Sequence, residues 1–193
     1  MSKAVLISIR PKWCEKIVNG KKTIEVRKTR PKLQTPFKCY IYCTRDKHLA
    51  FMQNQTGTNL IACMDVDAAI PVGGSIGNGK VIGEFICDRI DRLAPADEPY
   101  GIYDIGDDYV LQTCLENGAL WDYGHGTPLY GWHISDLRIY DTPKELSEFK
   151  TLCRVDADCC ACPYYNYTKM DCDGRVIGRP PQSWCYVDDV QAK

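Results

Sequence analysis

The stretch Asn19-Gly20-Lys21-Lys22-Thr23-Ile24-Glu25-Val26-Arg27-Lys28 constrains this chain most, because a helical period stops inside it and a strand period begins. Gly20 is the residue type that ends a helix in the left-handed conformation, and Asn19 tolerates the approach to it. Upstream, Trp13 and Ile17, and Cys14 and Val18, recur at i and i+4, while Pro11 suits a first helical position. Downstream, Ile24 and Val26 alternate with Thr23, Glu25 and Arg27. One strand face therefore holds a hydroxyl, a carboxylate and a guanidinium in a row, with Lys21 and Lys22 at its entrance. Such a row is either a solvated face with a weak ion pair or the lining of a ligand site.

Charge adds weight to this region. The whole chain carries a net charge of −1, which gives no global attraction to nucleic acid, so any phosphate binding must be local. From Lys21 to Lys38 there are seven Lys or Arg and one acid. Pro31 and Pro36 break any helix or central strand there, so Arg27, Lys28, Arg30, Lys32 and Lys38 belong to a basic extended loop. It is either a phosphate patch or a solubilising loop.

Gly20-x-Lys22-x-x-Glu25-x-Arg27 after a short helix resembles the signature of the ASCH family (activating signal cointegrator homology), a branch of the PUA-like superfamily. Val81-Ile82-Gly83-Glu84-Phe85, Gly131-Trp132-His133-Ile134-Ser135 and Pro180-Pro181-Gln182-Ser183-Trp184 are similar to further segments of that family, in the same order. The resemblance covers nearly the whole chain and implies a mixed α/β fold of the α+β kind. This is a small, mostly antiparallel PUA-like β-barrel with short helices. The implied organisation is a barrel domain over 1–150, a Cys-rich insertion over 151–179, and a terminal strand over 180–193 that returns to the barrel.

Short strands and turn signals along the chain support that class independently. Residues 4–9 are apolar enough for a buried first strand. Residues 37–44 alternate, with Phe37, Cys39, Ile41 and Cys43 on one face and Tyr40 and Tyr42 on the other, either stacking on bases or packing. Residues 45–60 show no clear period, and 61–66 read as a strand. The glycine-rich run 73–79 lacks the Lys-Ser/Thr and following helix of a phosphate loop; Asn78-Gly79 signals a hairpin into residues 80–87 instead. Glu84 in that apolar strand is either a second acid near Lys22 or a rim carboxylate paired with Lys80 or Arg89. Residues 91–105 read as loop. Asp107 and Asp108 open a helix that Gly118 stops, a loop follows over 121–130, and 131–140 is a strand. Thr142 and Pro143 open a short helix. His133 is either a pocket residue or an ordinary hydrogen-bonded histidine.

The last forty residues differ in kind: cysteines stand at 153, 159, 160, 162, 172 and 185, against six in the first 150. Met1 to Ile9 is too short and polar for a secretory signal, and no apolar run is long enough to span a bilayer, so a cytoplasmic chain with reduced thiols is expected. Cys159-x-x-Cys162 has zinc-ligand spacing, and Cys172 and Cys185 complete a candidate structural zinc site, with Cys153 and Cys160 as rivals. Cys185 also lies in the apolar run 182–187, which reads as a returning strand.

The resemblance implies binding of RNA or a modified nucleotide in a cleft formed by the signature segment. There Lys21, Lys22, Arg27, Arg30 and Lys32 hold phosphates, Thr23 lies alongside, and Glu25 accepts from a base amino group or positions Arg27. Some small ASCH relatives are similar to amidohydrolases that remove acyl groups from the exocyclic nitrogen of cytidine, where a lysine matching Lys22, a threonine and a glutamate carry the reaction. Glu25 stands at the threonine position, so the hydroxyl nucleophile is absent; Thr23 is shifted by two, and Glu84 is the candidate acid. The competing reading is therefore an enzyme with Lys22, Glu25 and Glu84 as catalytic groups, and the third is a zinc-stabilised interaction module.

Overall fold

The computed structural model describes residues 3–54, 57–62, 74–96, 101–151, 164–166, 168, 171–172 and 174–189. The first strand, β1 (Lys3–Ile9), leads into α1 (Pro11–Val18), β2 (Ile24–Arg27) and β3 (Phe37–Cys43). Next come β4 (Leu49–Asn54), β5 (Gly57–Ala62), β6 (Gly74–Ile76), β7 (Val81–Cys87) and β8 (Ile90–Leu93). Two short helices follow, α2 (Asp107–Thr113) and α3 (Asn117–Gly124), then β9 (Leu129–His133) and β10 (Ser135–Lys144). The C-terminal part holds a 3-10 turn at Leu146–Glu148, β11 (Lys150–Thr151), β12 (Tyr165–Asn166), β13 (Asp171–Cys172), β14 (Arg175–Val176) and β15 (Trp184–Asp188).

The result is a mixed α+β fold, among the described residues mostly strands with three short α-helices. Its main sheet has seven strands in the order β10-β7-β3-β1-β15-β11-β14, and two three-stranded sheets, β2-β9-β8 and β5-β4-β6, accompany it. Among the described residues no sheet closes on itself, so the architecture found is an open mixed sheet with smaller sheets beside it. β1 pairs parallel with β3 and antiparallel with β15, which is the returning C-terminal strand expected from residues 182–187.

β1 is buried on both faces, which explains an apolar run interrupted only by Ser8. Val5, Ile7 and Ile9 join Cys14 and Ile17 of α1 and the Phe37-Cys39-Ile41-Cys43 face of β3 in one core. Ala4 and Leu6 join Tyr40, Tyr42 and Phe149 in the other. Tyr40 meets the Phe149 ring edge-on at 4.9 Å and is fully buried, so these tyrosines pack and present nothing to a base.

Several expectations change. Residues 45–60, read as irregular, contain β4 and most of β5, which pair with each other from Leu49↔Ala62 to Asn54↔Gly57. Asn78-Gly79 makes a turn but no hairpin: β6 pairs with β4, and β7 pairs with β3 and β10. The Asn78 side chain is spent on that turn, accepting from Phe51 N–H at 2.8 Å and donating to Leu49 C=O at 2.8 Å. The helix from Asp107 stops at Thr113, Cys114 takes a left-handed φ of 54°, and a second helix runs over Asn117–Gly124, where a loop was expected. Ile90–Leu93 is a strand, and β10 continues through Pro143 to Lys144, so no helix opens at Thr142. Pro143 is tolerated where the pairing of β10 with β7 skips from Ile139 to Lys144.

Candidate functional site

The loop from α1 to β2 is set by Gly20, whose φ of +69° is the left-handed conformation that glycine adopts without penalty. It turns the chain so that Lys21 and Thr23 stay exposed while Lys22 goes inward. β2 then begins at Ile24, and all four of its residues are buried. The row of polar groups is therefore no solvated strand face: Lys22 is 2% exposed, Glu25 6% and Arg27 9%.

Three buried charges need partners, and they find them in each other and in backbone carbonyls. Arg27 Nη2 donates to Ser8 C=O at 2.6 Å and sits 2.9 Å from Glu25 Oε1. Lys22 Nζ donates to Thr113 C=O at 2.6 Å, lies 3.4 Å from Glu25 Oε2, and stands 5.2 Å from the Trp13 ring centroid. The Thr113 carbonyl is at the C-terminal end of α2, the end whose partial charge favours a cation. The same helix end holds the neighbouring backbone, since Thr23 N–H donates to Gln112 C=O at 2.9 Å. Burial lowers the Lys22 proton affinity below its ordinary value, and the Glu25 carboxylate opposes that shift.

The pairing is incomplete. Arg27 Nε is buried and has no hydrogen-bond partner, and Glu25 Oε2 has only the long 3.4 Å ion pair with Lys22 and no hydrogen bond. Both residues line a cleft of about 640 Å³, walled by Trp13, Val26, Leu115 and Tyr123, with Ser8, Arg10, Lys12, Thr44 and Ser183 also on its surface. An apolar and aromatic wall over a charged floor suits a planar ligand with polar edges. A second, shallower cavity of about 580 Å³ lies on the basic loop, lined by Arg30, Lys32, Gln34 and Thr35.

Of the residues singled out in the sequence, Lys22, Glu25 and Arg27 come together in the cleft. Arg30 and Lys32 line the second cavity instead, and Lys21 and Thr23 line neither. Glu84 does not join Lys22: it accepts from Tyr140 Oη at 2.6 Å, whose proton burial makes harder to lose. Neither expected rim partner holds it, because Lys80 pairs with Glu145 and Arg89 with Asp91. His133 is held by Asp91 Oδ2 at 2.6 Å, the ordinary hydrogen-bonded histidine. Of the zinc candidates, Cys159, Cys162 and the Cys172 side chain lie outside the described residues. Cys185 is on β15 opposite Leu6, and its thiol is pushed up to about 11 by burial. Among the described residues no three His, Cys, Asp or Glu side chains gather as a metal site.

Sequence reasoning missed Ser8, the Thr113 carbonyl, Leu115 and Tyr123. A backbone carbonyl has no sequence signal, and Leu115 and Tyr123 follow from the misplaced helix boundary.

Residues 7–86 match the family model of the ASCH domain. That segment is similar to the ASCH domain. It runs from β1 through β7 and includes Lys22, Glu25 and Arg27. The fold resembles a crystal structure of ASCH from Zymomonas mobilis at a TM-score of 0.54 and 19% identity, covering 95% of this chain and 86% of that one. A crystal structure of a point mutant of that ASCH protein gives a TM-score of 0.51 at 19% identity, covering 95% and 87%. No curated protein matches the sequence. Among the described residues no helix is long and apolar enough to cross a membrane.

Proposed function

We propose that this chain binds RNA or a modified nucleotide, taking one base into the cleft over Lys22, Glu25 and Arg27. The observation that carries the reading is the buried trio under an aromatic-walled cleft, with Arg27 Nε unpartnered and Glu25 Oε2 held only by the 3.4 Å ion pair to Lys22. A carboxylate oxygen accepts from an exocyclic amino group, and the guanidinium donates to a ring nitrogen or carbonyl. Trp13 and Tyr123 offer faces to a base. The ASCH domain supports the reading, because this PUA-like family is often linked to RNA binding. Burial narrows the role of Lys22. At 2% exposure it meets an inserted group, not a backbone phosphate passing over the surface.

The test is a titration of labelled single-stranded RNA and of free nucleosides against wild type and a Lys22→Ala, Arg27→Ala double variant. The expected result is binding by wild type and at least about tenfold weaker binding by the variant, the cost of removing two charged donors. No binding of any of these ligands by wild type at tens of micromolar overturns the reading.

One observation favours the amidohydrolase as a second reading. Burial lowers the Lys22 proton affinity, which is how a lysine is made into a base. The attacking hydroxyl then has to come from water, since Thr23 is exposed outside the cleft. Release of the acyl group from an N4-acylated cytidine, lost in Lys22→Ala, is the result this reading requires.

A further inference from the structure

We propose, resting on the nucleotide reading of the same cleft, that its ligand carries a phosphate, and that Arg10 and Lys12 at the rim take that phosphate while the base lies over Trp13. Four cationic side chains line the cleft, Arg10, Lys12, Lys22 and Arg27, against the single carboxylate of Glu25. The inner two are committed to Glu25 and to the carbonyls of Thr113 and Ser8. The outer two are exposed and form no ion pair among the described residues. The cleft thus carries two rim cations without an ion pair, Arg10 acting on an acid only through the field it exerts on Asp46, on a chain of net charge −1 where a general excess of positive charge explains nothing.

The position of Lys12 fits a nucleotide whose base lies on Trp13, with Arg10 on the same cleft lining. Lys12 Nζ stands 4.5 Å from the Trp13 ring centroid, and Lys16 Nζ 5.6 Å from the same ring. A base that stacks on the indole displaces an ammonium from its face, and the phosphate on the attached ribose receives the displaced charge. The start of α1 does not oppose this. Arg10 is its N-cap residue, and with Pro11 lacking an N–H and Trp13 N–H turned back to Arg10 C=O at 2.9 Å this end adds little beyond a first turn that holds no acid to repel a phosphate. Arg27 Nε, buried without a partner, is the independent sign that this cavity is built for a polar ligand.

The phosphate comes either from a free nucleotide or from an RNA chain, and the probes separate the two. The four ribonucleosides, their 5′- and 3′-monophosphates and an unphosphorylated RNA trinucleotide are titrated calorimetrically at low and at physiological salt. The expected result is that at least one monophosphate, or the trinucleotide, binds about tenfold or more tightly than the matching nucleoside. The Arg10→Ala, Lys12→Ala double variant removes that gain and its salt dependence. A gain with monophosphates assigns a free nucleotide, and a gain only with the trinucleotide assigns a phosphodiester. Equal binding of nucleoside and phosphorylated ligands, or a gain that survives in the double variant, overturns the proposal and leaves the cleft reading standing. Failure of every ligand to bind overturns both.

Discussion

The signature stretch and the loop that follows it contain the same residue types and behave in opposite ways. Lys22 and Arg27 are buried, paired to one carboxylate and bound to backbone carbonyls from distant parts of the chain. Lys28, Arg30 and Lys32, a few residues on, are exposed and form no ion pair among the described residues. The difference comes from a single turn at Gly20 and the pairing of β2 with β9, which carry the first group inward. A buried cation shapes a site and costs stability when its partner is lost. An exposed cation attracts a ligand and costs almost nothing.

The sharpest way to break this comparison is Glu25→Ala. It leaves Lys22 and Arg27, whose side chains are 1% and 11% exposed, facing each other without a counter-charge. Uncompensated buried charge of this kind costs on the order of 3 kcal/mol or more. The check is the denaturant midpoint of the variant beside wild type. A loss under about 1 kcal/mol would show that water in the cleft already solvates the pair, and that the trio is far less interior than its burial indicates.

A smaller effect follows from the Lys22 proton. Burial lowers its affinity below the ordinary 10.5. Between that lowered value and 10.5 the unfolded chain binds the proton more tightly than the folded one, so this group's share of stability rises with pH across that window and levels off above it. The buried acids act the other way. Burial raises Cys14, Cys39, Tyr109 and Tyr140, so their share falls once pH passes their ordinary values. The useful quantity is therefore the difference between wild type and Lys22→Met. Wild type should gain on the variant by about 1.4 kcal/mol for each pH unit by which folding lowers the lysine. Parallel stability curves for the two proteins would show that Glu25 fully offsets the burial.

These outcomes bear on why some of the site was legible in sequence. The helix-to-strand switch at Asn19–Lys28 was visible, because Gly20 and the change of period are local signals. The two faces of β3 were visible for the same reason. The depth of Lys22 was not, since strand alternation places it off the Glu25 face. It reaches Glu25 only because the residues before Ile24 lie outside the strand. The Thr113 carbonyl that holds it is supplied by a residue 91 positions away. Glu84 was misplaced because one acid in an apolar strand looks alike on either side. Only the sheet shows that Glu84 pairs in register with Tyr40 and Arg138 and bonds to Tyr140. β4 and β5 escaped notice because strands holding Asn, Gln and Thr among the apolar residues give little period to read.

The basic loop supplies the smallest effect on stability and the clearest separation of attraction from architecture. In the Arg30→Ala, Lys32→Ala double variant the loop keeps its anchor, because it is the Lys32 backbone N–H that donates to Tyr186 Oη at 2.7 Å. What is lost is two side chains on the rim of the second cavity and a guanidinium 5.9 Å from the Tyr130 ring. Stability should move by no more than about 0.5 kcal/mol. If RNA leaves the cleft along this loop, the slope of log affinity against log salt should flatten by about 0.7 for each phosphate contact removed. Weaker binding with an unchanged slope would mean that the loop shapes the path without touching phosphate. A large loss of stability would place these residues among the architectural charges, and the contrast with Lys22 and Arg27 would fail.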